Sequence, residues 1–107
     1  MAASAIFDQW SKSITTNADK AKEINAVYQF NINGDGGGSW VLDLTQPVVR
    51  SGTDDNAQCT VTMEAGDFED MVEGRVQGQQ LFMLGKLMIE GDMGLALRLQ
   101  QVFEAVA

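Results

Sequence analysis

Between Gln79 and Gln100 the spacing of large apolar side chains changes period twice, and few architectures accept that within so short a stretch. Gln79 to Leu84 reads as a short helix. Leu87 and Ile89 then alternate as a strand ending at Gly91, and Asp92 caps a final helix whose stripe is Leu95, Leu99, Val102, Phe103 and Val106. Helix, strand and helix packed this tightly require a sheet and a helical layer to share one apolar boundary. Met71, Met83, Met88 and Met93, four of the six methionines, lie in or just before this stretch. Methionine is unbranched and polarizable, so it adapts to irregular or variable neighbours.

The rest of the chain supplies the remaining parts. Ile6, Phe7, Trp10 and Ile14 predict an amphipathic first helix, with Ser4 as N-cap and Asp8 near its positive end. Asn17 to Glu23 is polar and reads as a loop or a frayed helical turn. Tyr28, Phe30 and Ile32 alternate with Gln29 and Asn31. Trp40, Leu42 and Leu44 alternate with Val41, Asp43 and Thr45. The glycine-rich segment Asn33 to Ser39 joins the two runs as a hairpin connection. Pro47 interrupts the pattern, Val48 to Arg50 makes a short edge strand, and Ser51 to Gln58 is a polar turn. Cys59, Val61 and Met63 form a fourth strand with Cys59 facing inward. Phe68, Met71 and Val72 share one face of a helix that Gly74 can end, with Asp67, Glu69 and Asp70 on its solvated face. The expected fold is α+β: one domain spanning residues 1–107, with a five-stranded, mostly antiparallel sheet covered on one face by helices.

Several function classes are poorly supported. Fifteen acidic residues against seven basic ones, a net charge of −8, leave no basic cluster for a nucleic-acid backbone. The same acidity opposes docking on anionic bilayers, so any membrane contact is expected to be transient and apolar. The loop at residues 33–39 lacks the lysine and following helix of a phosphate loop. A calcium loop starting at Asn31 would place Leu42 where a bidentate glutamate is needed. Without histidine no Ser-His or Cys-His system can be built. Carboxylate pairs such as Asp54 with Asp55 or Glu69 with Glu73 lie in polar turns or on solvated faces. Asp43, although flanked by apolar residues, falls on the polar face of its strand and is expected at the surface. No enzyme activity, cofactor, catalytic residue or metal ligand is anticipated. The lone Cys59 fits a reducing compartment as a buried structural thiol. With no secretory signal and no apolar run long enough for a membrane span, a cytoplasmic location is expected.

The order of these pieces resembles the sterol carrier protein 2 family over roughly residues 24–103. The matching residues are Trp40-Val41-Leu42-Asp43-Leu44, Cys59-Thr60-Val61-Thr62-Met63, Asp67-Phe68, Gly85-Lys86-Leu87-Met88-Ile89, Gly91-Asp92-Met93-Gly94 and Leu95-Ala96-Leu97-Arg98-Leu99-Gln100. The resemblance implies an apolar tunnel between sheet and helices that holds a fatty acid, fatty acyl-CoA, sterol or phospholipid without altering it. Trp40, Phe82, Met83, Met93, Leu99 and Phe103 are the main candidates for its lining, with Phe68, Met71 and Val72 in support. Each is equally compatible with plain core packing. Gln79 and Gln100 match family positions near the tunnel, where they would hydrogen-bond a polar head, or else are ordinary exposed glutamines. The resemblance implies a lipid as partner and lipid binding and transfer as function. The alternative is a lipid-presenting accessory or scaffold for a partner enzyme. The chain departs from the family's eukaryotic peroxisomal members in ending Ala105-Val106-Ala107 rather than in a Ser/Ala-Lys-Leu tripeptide, so import through that signal is not expected. It carries Gly78 where a proline is common and Met88 where a lysine is common. It is also more acidic than basic members, which argues against a strong grip on CoA phosphates.

Overall fold

The computed structural model describes residues 2–106. The chain runs α1 (Ala3–Thr16), α2 (Ala18–Ile24), β1 (Val27–Asn33), β2 (Gly38–Asp43), β3 (Val48–Ser51), β4 (Cys59–Glu64), α3 (Ala65–Val72), α4 (Gly78–Met83), β5 (Leu87–Gly91), α5 (Met93–Ala96) and α6 (Leu99–Val106). The strands form one open sheet in the order β3-β2-β1-β4-β5. Three pairings are antiparallel, while β1 and β4 run parallel at the centre.

The register explains the alternation in the sequence. Tyr28 lies opposite Leu42 and Cys59, Phe30 opposite Trp40 and Val61, and Ile32 opposite Met63. Val61 and Met63 face Ile89 and Leu87 on the edge strand. Side chains alternate across a strand, so all of these share one face, and the helices cover it. The β1–β2 connection is tight: a Cβ at Gly37 would stand 2.2 Å from the Ile32 carbonyl oxygen. On the outer face Gln29 is buried, its Nε2 donating to Asn31 Oδ1 and the Gly52 carbonyl and its Oε1 accepting from Asp54 N–H. These bonds hold the connection at 52–58 back over the sheet, which carries the chain from β3 to the far side of β1, where β4 pairs parallel to it.

Phe7 organises the core beneath the helices. It stacks on Trp40 at 4.5 Å and on Phe68 at 5.2 Å, and meets Trp10 and Phe30 edge-on. Offset and edge-on aromatic pairs of this kind add about 0.5–1.5 kcal/mol each beyond their burial.

Four local expectations are corrected. The first helix starts at Ala3 with Ala2 in the N-cap position, so Ser4 lies inside the first turn. Residues 18–24 form a full helix rather than a loop, because Ala21 and Ile24 bury a narrow stripe and Asn25 ends it in the left-handed region. Asp43 is buried rather than superficial: its Oδ1 accepts from Thr45 N–H at 2.9 Å, Thr45 Oγ1 at 2.5 Å and Gln46 N–H at 3.3 Å, bracing the turn into β3. The final helix is two helices. The Leu95 carbonyl, which a continuous helix would offer to Leu99 N–H, instead accepts the buried Tyr28 hydroxyl at 2.7 Å and Arg98 N–H at 3.1 Å.

Candidate functional site

A cleft of about 600 Å³ opens between the C-terminal end of α3, α4, β5 and the α5–α6 pair. Each wall follows from a local rule. Helix α3 carries Met71 and Val72 to the cleft and stops at Gly74, whose φ is +82°. Gly74 N–H bonds the Met71 carbonyl and Arg75 N–H bonds the Asp70 carbonyl, a Schellman closure. The chain then contributes Val76, Gln77 and Gly78 to the rim. A Cβ at Gly78 would stand 3.1 Å from Met71 Sδ, so a side chain there would press on the wall.

Helix α4 supplies Gln79 and Phe82, one turn apart, and ends in a second Schellman closure at Gly85. Leu87 and Ile89 of β5 complete the sheet side. The opposite wall is a stripe of Met93, Ala96, Leu97, Gln100 and Phe103, offset from the stripe that packs into the core, and Leu99 borders both. Asp92 fixes the start of this wall, its Oδ1 accepting from Gly94 N–H at 2.8 Å and Leu95 N–H at 3.3 Å. Phe103 backs onto Trp10, with ring centroids 5.5 Å apart.

None of the described lining residues is ionisable; the polar ones are three glutamines, Gln77, Gln79 and Gln100, all exposed. Arg75, next to Gly74, is engaged by Asp70 and by Glu73, which hold its pKa above the ordinary value. Cys59 lies beneath the sheet surface, and burial followed by the Asp92 charge pushes its thiol up to about 11, which disfavours a nucleophilic thiolate. Burial likewise raises Tyr28, whose hydroxyl is committed to Leu95. Among the described residues no cluster of His, Cys, Asp or Glu could hold a metal ion. The cleft can enclose an apolar body and offer neutral hydrogen bonds at its mouth; it has no group able to transfer a proton.

Of the residues singled out from sequence, Met71, Val72, Gln79, Phe82, Met93, Leu99, Gln100 and Phe103 converge on this cleft. Trp40 stands elsewhere, stacked on Phe7 beside a small recess that also involves Asp8 and Arg50. Phe68 is fully buried in the aromatic cluster. Met83 is 78% exposed and is not part of the lining. Sequence reasoning missed Val76, Gln77, Gly78, Ala96 and Leu97, and it assigned Leu87 and Ile89 to the sheet alone. The signal for Ala96 and Leu97 was their spacing three and four residues after Met93.

Comparison with known proteins places this geometry. The model of the SCP-2 sterol transfer family matches residues 7–104. Hydroxysteroid dehydrogenase-like protein 2 of Xenopus laevis is 36% identical over 91 residues, covering 82% of this chain and 22% of that protein. Human sterol carrier protein 2 is 32% identical over 106 residues, covering 94% of this chain and 19% of that protein. The chain thus spans about a fifth of the length of these curated relatives. The apo form of sterol carrier protein 2 from Yarrowia lipolytica superimposes with a TM-score of 0.84 at 28% identity, over 94% of this chain and 88% of that one. No helix among the described residues is long and apolar enough to cross a membrane. Family match, fold and ordered motifs agree, and the chain belongs to the SCP-2 sterol transfer family.

Proposed function

We propose that this chain is a non-enzymatic lipid-binding and lipid-transfer domain, holding one long acyl chain or sterol in the cleft between β5 and helices α3 to α6. The observation that carries the reading is a cleft of about 600 Å³ with no ionisable lining residue and three glutamines at its rim. Ligand pockets generally fall between roughly 300 and 1,000 Å³ and pair an apolar lining with a few polar groups that orient the ligand. The hydrocarbon would lie along Met93, Ala96, Leu97 and Phe103 against Met71, Val72, Leu87 and Ile89. Gln79 and Gln100 would hydrogen-bond a carboxyl, ester or hydroxyl head. Burying about sixteen carbons at ~0.8 kcal/mol per methylene yields on the order of 10 kcal/mol before association costs, consistent with affinity near the micromolar range. Fatty acid, acyl-CoA, sterol and phospholipid are the candidate classes; with no cation among the described lining residues, a strong grip on CoA phosphates is not expected.

A second reading has its own support: the longer relatives named hydroxysteroid dehydrogenase-like, of which this chain matches a fifth. On that reading the domain presents lipid to a partner enzyme. In either case we place it in the cytoplasm, where the buried thiol of Cys59 would stay reduced.

Titration with a fluorescent fatty acid tests the proposal. Binding should saturate, compete with unlabelled fatty acid and perturb tryptophan emission through Trp10, which stacks on Phe103 at the cleft wall. A linear response up to the solubility limit of the probe would count against a lipid site. Native mass spectrometry of gently purified protein identifies any retained lipid.

A further inference from the structure

The mouth of the cleft carries more apolar surface than a ligand inside it can cover. Phe82 and Met93 are about half exposed, and Leu97 is 83% exposed at the opposite lip. Met83 and Leu84, immediately after Phe82, are 78% and 69% exposed and outside the lining. The Schellman closure at Gly85 fixes them: Lys86 N–H bonds the Leu81 carbonyl at 2.9 Å and Gly85 N–H bonds the Phe82 carbonyl at 3.1 Å. Exposed large apolar side chains gathered around one opening mark an interaction surface.

Charge is distributed to match. Residues 76–101 contain Lys86, Glu90, Asp92 and Arg98 as their only charges, two of each sign, so the net charge of −8 is carried entirely by the rest of the chain. Asp92 is turned into its own helix as a cap. Lys86 and Arg98 are exposed beside the two lips, and their long stems can run along apolar surface while the charged ends reach outward. The remainder of the molecule would be repelled by an anionic surface.

We infer that the rim formed by Phe82, Met83, Leu84, Met93 and Leu97 docks shallowly on an electrically neutral, zwitterionic phospholipid surface, with Lys86 and Arg98 at the level of its phosphates. The cleft then opens onto the acyl region, and a lipid passes between bilayer and cleft without crossing water. This rests on the lipid-binding reading for its purpose, yet the two fail separately.

The test is flotation of the full chain with phosphatidylcholine vesicles, with and without added phosphatidylserine, beside the fatty-acid titration in vesicle-free buffer. Wild-type protein should float with phosphatidylcholine vesicles, to the same extent at low and high salt. Leu84→Asp, at a position outside the cleft, should lower partition about tenfold or more, because it removes a leucine whose burial is worth over one factor of ten. Its fatty-acid affinity should match wild type. Met83→Asp with Leu84→Asp should abolish flotation, while Val48→Asp, exposed on the far edge strand, should not change it. The inference is overturned if wild type ignores phosphatidylcholine vesicles or if Leu84→Asp floats normally. It is equally overturned if flotation requires phosphatidylserine and vanishes with salt. A concentration-dependent dimer that Leu84→Asp dissociates would instead assign the rim to a second copy of the chain. Wild type that binds fatty acid but never floats refutes the rim alone; wild type that floats but never binds fatty acid refutes the cleft.

Discussion

Phe68 and Phe103 are both buried aromatics on helices of the same layer, yet the structure predicts different consequences for replacing them with alanine. Phe68 is fully buried with protein on every side: Phe7 stacks at 5.2 Å, and Trp10 and Phe30 lie at 5.8 and 5.9 Å. Its truncation leaves a cavity the surrounding rings cannot fill, so Phe68→Ala should cost about 5 kcal/mol, the upper end for such changes. That approaches the whole stability of a small domain, and Phe68→Leu, at about 1.5 kcal/mol, provides a folded companion. Phe103 is held by Trp10 on one side and borders the cleft on the other. Its loss empties space continuous with an existing opening, and about 3 kcal/mol is expected. Only 7% of Phe103 is left exposed at the cleft for a ligand to cover, so its direct contribution to fatty-acid affinity is about 0.4 kcal/mol, roughly a twofold weakening. Urea unfolding followed by circular dichroism reports the first quantity and fluorescent fatty-acid titration the second. Phe68→Leu should leave affinity unchanged. If Phe103→Ala loses stability as fully as Phe68→Ala while its folded fraction binds normally, Phe103 is ordinary core and not part of the lipid-contacting wall.

Tyr28→Phe removes the hydroxyl that holds the Leu95 carbonyl, and should lower stability by about 1 kcal/mol. Hydrogen exchange should then rise in α5 and α6 before the sheet, and ligand should restore protection there first, because both helices wall the cleft. The folded pKa of Cys59 lies above its ordinary value, so the folded chain holds that proton more tightly than the unfolded one. Its contribution is therefore complete below about pH 9 and lost as pH rises toward about 11; urea midpoints of wild type and Cys59→Ala should converge or cross over that window. Fatty-acid affinity should change little with ionic strength, since no charge lines the cleft. A steep loss with salt in the same titration would implicate Lys86, Arg75 or Arg98 in gripping an anionic head.

Much of this was legible in the residues. Period-two alternation in Tyr28-Phe30-Ile32, Trp40-Leu42 and Cys59-Val61-Met63 marks one buried face, because a strand has only two sides. Gly74 and Asp92 mark a helix end and a helix start through local backbone chemistry. The ordered motifs pointed to the family, which the family match over residues 7–104 and the fold establish. These features act within a few residues of one another, so sequence order alone carries them.

Tertiary contact decided the rest. Alternation says which face is apolar but not which strand lies beside which, so the parallel β1–β4 pair depends on the connection at 52–58, bound over the outer face by Gln29. The division of the final helix depends on a hydroxyl from Tyr28, far away in the chain, taking a carbonyl the helix would have used. The cleft shows the same division. Trp40, Phe68, Met83 and Phe103 are alike in hydrophobicity, and the sequence by itself determined only that each belongs on an apolar face. Whether that face meets aromatic core, solvent or an opening was decided when α3, α4 and α5–α6 closed around β5, since burial is a property of neighbours rather than of the residue.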